Sequence, residues 1–515
     1  MSGPDAAVLL VNPRMCSRNA MRLPLSLLHL SAVLGDRPQQ IVDGNVDAQA
    51  VRTALAALAS RPHALVGITV MPGPQVATAI EMSAAIRAAF PSVPIAWGGY
   101  FPTLYPDAAI NAPYVDYLVR GQGEDTLSEL LGRLPDAGAP SPSESAADPS
   151  AILDVAGLTW KRGGSPVHNP ERRASPPGVY PPLPYDRAGD VPGYLRPSFM
   201  GTRTAVHQAA IGCRYKCEFC GVVSMWNGKT ILEMPDRLLL AGRTLRDRYG
   251  ANAMQFYDHN FFDREDTSIP VLEALADLRL PWWCYARADT LAKFSASTWR
   301  LIEKSQLRMA YIGAEAGSDD VLARMRKGTR VEHTLEVAAR SREQGVSPEF
   351  SFVLGGPEDA EGEVEKTFAF ISRVKRIHPG CEIILYFYSP TPQRDRTLPR
   401  SDPAAARLVL ERYGPSGPPL PTTPEEWTQP RWVRFVCHQD APWLTPALRR
   451  RVKDFACVLS CRFPTVQDYR TPEWGKSILR NLARIRYASG RYDHPWELAG
   501  LRRLIPLRDP QKESL

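Results

Sequence analysis

Long apolar runs are absent from this chain. None of its 515 residues falls in an apolar stretch of about 18, the length that a membrane-spanning helix needs. The N-terminus has no basic segment followed by an apolar stretch, so it does not resemble a signal peptide. We therefore expect a cytoplasmic protein without a membrane span.

Cysteine and excess charge are also scarce. There are nine cysteines, an odd number of which three are grouped, whereas a secreted disulfide framework has an even set at regular spacing. The formal charge of +7 is small for this length, and runs such as 449–451 are typical of solvated helix faces, so we expect no nucleic-acid partner. The apolar share of 44% and the length favour a globular protein of two to four domains.

Three cysteines, Cys213, Cys217 and Cys220, form a C-x3-C-x2-C motif. Thiolates at this spacing can bind one soft metal centre from a single loop, and three of them leave one coordination position open. Structural zinc normally has four protein ligands, and no fourth Cys or His follows Cys220 within a few residues. The spacing favours a four-iron four-sulfur cluster with one open iron over zinc or a chance grouping, and leaves those alternatives open.

With the aromatic Phe219 just before the last cysteine, this motif resembles that of the radical S-adenosylmethionine (SAM) enzymes. The resemblance implies that SAM binds the open iron. One electron from the reduced cluster would then release methionine and a 5'-deoxyadenosyl radical, which abstracts hydrogen from an unactivated carbon. It also implies a reducing partner such as flavodoxin or ferredoxin.

Residues 1–135 alternate short apolar strands with helix-period segments, which predicts a doubly wound, Rossmann-like parallel sheet. Ligands of such sheets bind beyond the carboxyl ends of the strands. The segments at these ends are rich in glycine and polar residues: Asn12-Pro13, Asp43-Gly44-Asn45, Met71-Pro72-Gly73, Gly98-Gly99-Tyr100 and residues 120–124.

These five loops, taken in order, resemble the cobalamin-binding domain that precedes the radical domain in one large class of these enzymes. The resemblance implies cobalamin contacts from Met71, Gly98, Gly99, Tyr100, Gly121, Gly123 and Glu124. The D-x-H-x-x-G element that supplies a lower histidine ligand to cobalt is absent, because neither His29 nor His63 has the required neighbours. We therefore expect cobalamin without a lower histidine and with the Met71 loop as its cover. A domain that has lost cobalamin and kept the fold is the alternative.

The rest of the chain divides at changes in composition. Residues 136–200 predict a Pro-rich linker with a hairpin turning at Gly163-Gly164. Residues 201–400 alternate strands and helices again, in an order that resembles the partial (β/α)6 barrel of radical SAM enzymes. Residues 401–515 predict a mostly helical C-terminal domain, in which Cys457 and Cys461 lie at helical spacing and are expected in the core.

Position within the resembled barrel implies the SAM contacts. Asp258 stands where the family contacts the methionine amino group, Arg287 could pair with the methionine carboxylate, and Glu315 stands where the family meets the ribose. Gly355 and Gly356, with Pro357, would form a close backbone turn beside the adenosyl group. The sequence does not identify a catalytic side chain.

Two functions of different classes follow from the resemblance. The first is a cobalamin-dependent radical SAM methyltransferase that methylates an unactivated carbon of a small molecule, either a specialised metabolite or a lipid. The second is a cobalamin-dependent radical oxidase, cyclase or ring-rearranging enzyme with no net methylation. A non-catalytic iron-sulfur sensor and a radical enzyme without cobalamin are the remaining alternatives.

Overall fold

The structure is a computed structural model that describes residues 6–18, 20–134, 152–226, 228–391 and 420–508. Packing divides the chain into two compact units, and each is assembled from separate stretches of sequence. The first unit comprises Met1–Tyr194, Ala210–Arg237 and Pro390–Cys437. The second comprises Leu195–Ala209, Leu238–Ser389 and His438–Leu515. Domain boundaries at 135, 200 and 400 stay a proposal, and residues 135–151 and 392–419 lie outside the described residues.

A seven-stranded sheet forms the centre of the first unit. Its strands are β1 (Ala7–Asn12), β2 (Gln39–Asp43), β3 (His63–Thr69), β4 (Ile95–Gly98), β5 (Tyr117–Val119), β6 (Leu158–Arg162) and β7 (Ser165–His168). The order is β2-β1-β3-β4-β5-β6-β7, with the first five strands parallel. The antiparallel β6–β7 hairpin confirms the predicted turn at Gly163-Gly164. Strand order reverses between β1 and β3, and a doubly wound sheet opens its ligand crevice at that point.

Helices cover this sheet because the central strands are apolar on both faces; residues 8–11 of β1 are fully buried. The helices up to the cysteine loop are α1 (Leu25–Val33), α2 (Ala50–Ser60), α3 (Pro74–Ala89), α4 (Tyr100–Leu104), α5 (Pro106–Ile110), α6 (Glu124–Arg133), α7 (Val191–Tyr194) and α8 (Val222–Trp226).

The remaining strands build a parallel barrel sheet and a small hairpin. They are β8 (Thr204–His207), β9 (Ala210–Gly212), β10 (Thr230–Leu232), β11 (Ala253–Phe256), β12 (Trp282–Arg287), β13 (Leu307–Glu315), β14 (Ser347–Leu354) and β15 (Glu382–Phe387). Six of them form a parallel sheet in the order β15-β14-β13-β12-β11-β8, as in a partial (β/α)6 barrel. Strands β9 and β10 pair antiparallel in the first unit, although in sequence they fall between β8 and β11.

Helices between and after the barrel strands complete the fold. They are α9 (Pro235–Arg243), α10 (Glu265–Leu278), α11 (Ala288–Leu291), α12 (Ala296–Lys304), α13 (Asp319–Arg324), α14 (Val331–Glu343), α15 (Ala360–Ile377), α16 (Pro424–Trp427), α17 (Pro430–Val436), α18 (Pro446–Arg462), α19 (Glu473–Ser489) and α20 (Trp496–Leu501). The predicted α/β class, with two parallel sheets and a helical C-terminal part, is confirmed. Within the described ranges, no helix is long and apolar enough to cross a membrane.

Helix α16 belongs to the first unit, where an aromatic side chain packs it against α4 and the residue that follows α4. Trp427 is 2% exposed, and its ring centroid lies 4.1 Å from that of Tyr105 and 6.1 Å from that of Phe101. Trp432 of α17 packs behind it at 5.4 Å. These tryptophans act as packing residues, and they attach residues 424–436 to the sheet that begins the chain.

Candidate functional site

The three motif cysteines lie on the loop between β9 and β10. Cys213 directly follows β9, and the backbone N–H of Cys220 donates to the Cys217 carbonyl at 3.2 Å, which makes a turn between these two cysteines. None of the three forms a disulfide; Cys217 is 6% exposed and the other two are partly exposed. Gly212 closes the loop, because its φ is +74° and a Cβ there would lie 2.1 Å from the Lys229 carbonyl oxygen. Sequence reasoning missed this glycine.

Three thiols on one loop are a donor set that fits a four-iron cluster with one open iron. Among the residues the structure describes, no three His, Cys, Asp or Glu side chains are grouped as ligands of one metal ion. Structural zinc needs four ligands around a single centre. In a four-iron cluster each cysteine binds a different iron, so the three thiolates need not converge on one point.

The cysteine loop packs against predicted cobalamin contacts within the first unit. A Cβ at Gly221 would lie 3.2 Å from Leu104 of α4, and one at Gly121 would lie 3.4 Å from the Met225 carbonyl oxygen. The Thr391 hydroxyl donates to the Phe219 carbonyl at 2.6 Å. Burial, followed by the thiols of Cys220 and Cys213, raises the pKa of Tyr100. The structure therefore brings the motif and the loops after β4 and β5 together.

A shallow cleft lies beside this contact, and its volume of about 400 Å³ includes open solvent. Its walls come from the loop after β5, from residues 171–174 and from helix α8 of the cysteine loop: Thr103, Arg120, Gly121, Gln122, Gly157, Glu171, Arg172, Ala174, Ser224, Met225 and Trp226. The predicted contact Gly121 thus lines this cleft.

Glycines shape the strand-end loops by backbone conformation. Gly99 has φ +96°, and a Cβ there would lie 3.1 Å from the Val70 carbonyl oxygen. Gly98 has an ordinary φ, and the nearest atom to its Cβ position is 3.7 Å away. Gly123 precedes α6, where a Cβ would lie 3.1 Å from Leu30. The backbone at Gly99 therefore requires glycine, whereas the space at Gly98 does not.

One buried amide joins the loops on either side of the β1–β3 crevice. Gln75, 1% exposed, accepts from the Met71 backbone N–H at 2.8 Å. Its Nε2 donates to the Asn12 side chain at 2.9 Å and to the Pro13 carbonyl at 2.7 Å. The Met71 side chain itself is 36% exposed. Gln75 was not predicted from sequence, since a glutamine in the first turn of a helix carries no distinctive signal.

Neither candidate histidine lies in the loops after β1 or β3. His63 is the first residue of β3, at the opposite edge of the sheet, and its Nδ1 lies 2.9 Å from the Arg61 carbonyl oxygen. His29 lies in α1 with Nδ1 3.7 Å from Glu124. Burial lowers the pKa of His29 to about 4 and raises that of Glu124 to about 7, so desolvation outweighs any ion pairing between them.

The barrel rim of the second unit carries a buried polar cluster after β11. Asp258 is 1% exposed, and its Oδ1 accepts from the Ala209 backbone N–H at 2.7 Å. Asn260 is fully buried, and neither atom of its side-chain amide has a hydrogen-bond partner among the described residues. An unsatisfied buried amide costs free energy, so its presence beside Asp258 fits a polar ligand such as the methionine part of SAM.

Glu315 is held at the end of β13 by a bulge and a lysine. The strand register shifts between Gly313 and Glu315, and Glu315 adopts a left-handed φ of +62°. Its carboxylate lies 2.5 Å from the Lys327 Nζ, and both side chains are at most 7% exposed. A Cβ at Gly313 would lie 2.2 Å from Glu315 Oε1, so the pair occupies space that this glycine leaves. Strain in a buried polar position is typical of a binding site.

Arg287 is engaged inside the second unit. Its Nε lies 2.9 Å from Asp289 Oδ1, its guanidinium also donates to the Lys327 carbonyl, and it is 4% exposed. Its pairing with a methionine carboxylate stays a prediction, and the geometry shows that this pairing would compete with Asp289.

The predicted glycine turn after β14 is tightly packed. Gly355 has φ +73°, and its carbonyl accepts from the Trp443 indole N–H at 2.8 Å. The Gly356 backbone N–H donates to Glu363 at 2.8 Å. A side chain at Gly355 would strike Leu444 at 2.7 Å, so the turn is closed on one side by residues 443–444.

Family models match two parts of the chain. Residues 23–131 match the B12 binding domain, and residues 209–371 match the radical SAM superfamily. These matches confirm the predicted pairing of domains.

The chain spans about half the length of the curated relatives it matches. It is 23% identical to an uncharacterized methyltransferase of Pyrococcus horikoshii, over 54% of this chain and 58% of the relative. It is 22% identical to an anaerobic magnesium-protoporphyrin IX monomethyl ester cyclase of Rubrivivax gelatinosus, over 54% and 48%.

Solved structures share the fold. The radical SAM methyltransferase TsrM from Kitasatospora setae, with cobalamin and a [4Fe-4S] cluster bound, aligns at TM-score 0.58 and 19% identity over 75% of this chain and 73% of that one. The cobalamin-dependent SAM radical enzyme OxsB aligns at TM-score 0.65 and 16% identity over 97% and 75%. Both alignments span most of this chain.

Proposed function

We propose that this chain, which belongs to the cobalamin-dependent radical SAM enzymes, transfers a methyl group to an unactivated carbon of a small molecule, either a specialised metabolite or a lipid. The observation that supports this most is the packing of the cysteine loop against the loops after β4 and β5. The Gly121 and Gly221 contacts bring the predicted cluster ligands and the predicted cobalamin contacts into one unit.

The proposed cofactors are a [4Fe-4S] cluster, SAM and cobalamin. When bound, the cluster with SAM supplies one-electron chemistry and a carbon-centred radical, and cobalamin supplies a transferable methyl group. Cys213, Cys217 and Cys220 would hold the cluster. Asp258 and Glu315 would orient SAM through charged hydrogen bonds, because their carboxylates are buried and held by Ala209 and Lys327.

The glycine loops and Met71 would hold cobalamin without a histidine below the cobalt. Gln75 fixes the Met71 loop to the end of β1, so the exposed Met71 side chain is presented from a rigid support. We expect the electron paramagnetic resonance spectrum of the cob(II)alamin form to show no splitting from an axial nitrogen. A spectrum with nitrogen splitting would contradict the proposal that Met71, and not a histidine, lies below the cobalt. It would leave the assignment of the enzyme class intact.

A reducing partner completes the proposal. A cluster reduced by one electron needs a low-potential donor, and flavodoxin or ferredoxin supplies electrons of that kind. We expect either protein, reduced by its own reductase, to support SAM cleavage by the reconstituted chain.

Radical chemistry without net methylation is the second candidate, and the similarity to the cyclase of Rubrivivax gelatinosus favours it. The coproducts formed from SAM distinguish the methyltransferase from the second candidate. The reconstituted protein is incubated anaerobically with reductant, methyl-labelled SAM and a small-molecule extract, and the products are analysed by mass spectrometry. A methyltransferase forms S-adenosylhomocysteine together with 5'-deoxyadenosine and a labelled product. Substrate-dependent 5'-deoxyadenosine without S-adenosylhomocysteine or label would overturn the methyltransferase proposal and support the second candidate.

A further inference from the structure

Phenol side chains line the inner wall of the barrel in the second unit. Tyr257 follows β11, and Tyr285, Tyr311 and Tyr386 lie on β12, β13 and β15. All four are partly exposed, whereas the neighbours that alternate with them on the strands are buried under the surrounding helices: Phe256, Cys284, Ile312 and Phe387. Alternate residues of a strand point to opposite faces, so the tyrosines face accessible space inside the barrel.

Ring contacts join Tyr257, Tyr285 and Tyr311 into one surface, and Tyr386 adjoins it through a hydrogen bond with Tyr311. The Tyr285 ring centroid lies 5.0 Å from that of Tyr311, 6.3 Å from that of Tyr257 and 4.6 Å from that of Trp283. Burial, followed by the adjacent Tyr386, raises the pKa of Tyr311 well above its usual value, so its hydroxyl stays protonated. Aromatic rings held in such a cluster offer flat faces for another ring and hydroxyls for its polar edge.

The floor of the barrel is closed by two buried carboxyl groups that share one guanidinium. Glu349 and Glu382 are 2% and 3% exposed. Glu349 accepts from the Trp283 indole N–H and from Gln467 at 2.8 Å, and the guanidinium of Arg508 lies 3.0 Å from Glu382 and 3.4 Å from Glu349. The positive charge of Arg508 is therefore already matched by two carboxylates.

The wall carries little positive charge for an anionic ligand. Arg287 is the cation among the inward-facing residues of the described barrel strands, and it is paired with Asp289. Lys327 is paired with Glu315 at the rim. An anion deep in the barrel would lack a partner and bear its full desolvation cost, whereas the faces of tyrosine and tryptophan attract cations.

We propose that the tyrosine wall, Tyr257, Tyr285, Tyr311 and Tyr386 with Trp283, is a substrate-binding pocket that selects a ring-containing molecule without negative charge on the ring portion. The ring stacks on Tyr285 and Tyr311, and its polar substituents reach the hydroxyls of Tyr257 and Tyr386. This inference rests on the proposed function and names its substrate class.

Three probes that share one ring and differ in charge test the pocket. Binding of indole, tryptamine and indole-3-acetate to the reconstituted holoenzyme is measured by saturation-transfer difference NMR, with hexylamine as a cation without a ring. We expect indole and tryptamine to bind about 10-fold more tightly than indole-3-acetate or hexylamine, a difference within the range of one aromatic contact plus one buried charge. Equal binding of indole-3-acetate and tryptamine would overturn the charge selection.

Variants locate the binding. Tyr285→Leu should weaken indole about 10-fold, Tyr285→Phe should preserve it, and Tyr469→Leu, which changes a tyrosine that is 46% exposed outside the barrel, should leave it unchanged. Wild-type indole affinity in Tyr285→Leu would refute the pocket. Iron content and the melting temperature of each variant identify any that fail to fold, in which case Tyr311→Leu replaces it. Binding of a ring does not depend on methyl transfer. The label experiment can therefore refute the methyltransferase proposal while these binding measurements still support the pocket, and the reverse is also possible.

Discussion

The candidate site of the first unit is formed mainly by backbone conformation, whereas that of the second unit is formed mainly by buried polar side chains. In the first unit the strand-end loops depend on backbone conformation, with positive φ values at Gly73, Gly99 and Gly121. The buried amide of Gln75 holds the Met71 loop in place by a hydrogen bond. In the second unit the rim relies on buried side chains, with Glu315 paired to Lys327 and Asp258 bonded to a backbone N–H. A large ligand that binds by shape needs space close to the backbone, whereas a small zwitterion needs charges already held in place.

This difference predicts opposite sensitivities. Substituting a glycine in the strand-end loops should weaken ligand binding at the first site. The added Cβ would occupy space close to the backbone or would strain a left-handed backbone conformation. Removing charge should damage the second site, because it leaves the partner charge buried and unpaired. The cysteine loop belongs to the first unit by packing, yet it should behave as a third kind of site that depends on covalent ligation.

The largest effect is expected at the cysteine loop. Cys217→Ala together with Cys220→Ala should abolish iron binding and 5'-deoxyadenosine formation, because one remaining thiolate cannot hold a cluster. Iron content after anaerobic reconstitution measures this directly. Cys457→Ala, in α18, should retain about four irons and serves as the control. Iron retained by the double variant would show that the cluster ligands lie elsewhere.

Two adjacent glycines give the next largest contrast. Gly99→Ala should lose cobalamin, because its φ of +96° and the Val70 oxygen at 3.1 Å add a strain of about 1–2 kcal/mol or more and shift the loop. Gly98 has an ordinary φ and its nearest protein atom is 3.7 Å from the Cβ position, so Gly98→Ala adds no backbone strain and should lose less cobalamin than Gly99→Ala does. Cobalamin stoichiometry from absorbance, with melting temperature as a check on folding, separates them. Equal loss in both variants would mean that backbone conformation is not what the site requires.

Removal of one charge tests the second site. Glu315→Gln should weaken SAM binding and lower stability by about 3 kcal/mol, because Lys327 would be left buried without its counter-charge. Adding Lys327→Met should recover stability but not SAM binding. Equilibrium unfolding and 5'-deoxyadenosine rates are measured with iron content as the control. A wild-type rate in Glu315→Gln would place SAM elsewhere.

The smallest effect should come from Asn260→Leu. Its amide is buried without a partner in the part of the chain that the structure describes, so an apolar side chain of similar size should stabilise the fold by about 1 kcal/mol. The same change should weaken SAM binding if the amide contacts the ligand, giving a variant that is more stable and less active. Greater stability with unchanged SAM affinity would make Asn260 a structural residue.

Local signals made part of this architecture predictable. The cysteine spacing is contained in eight residues, and the strand-helix alternation is read one element at a time, so the loop and both parallel sheets could be predicted. The Glu315–Lys327 pair could not, since it depends on a bulge at Gly313 that no composition signals. Gln75 and Asn260 are ordinary residue types whose roles appear only through distant partners, or through the lack of them.

Residues 424–436 were also beyond prediction, because their helical pattern does not indicate which sheet they contact. A prediction from periodicity assigned them to a C-terminal domain, whereas Trp427 packs on Tyr105 within the first unit.

That contact has a consequence for how the protein is made. Trp427 is synthesised about 320 residues after Tyr105, which at roughly 5–20 residues per second leaves the rings of Phe101 and Tyr105 without their cover for about 15–65 s. During this interval the aromatic rings of Phe101 and Tyr105 are exposed on the nascent chain, and chaperones bind apolar surfaces of this kind. Cys437 also reaches the Met71 loop, beside Gly73, only at the end of the same interval. A nascent chain therefore has time to bind cobalamin before residues 424–437 pack against that loop.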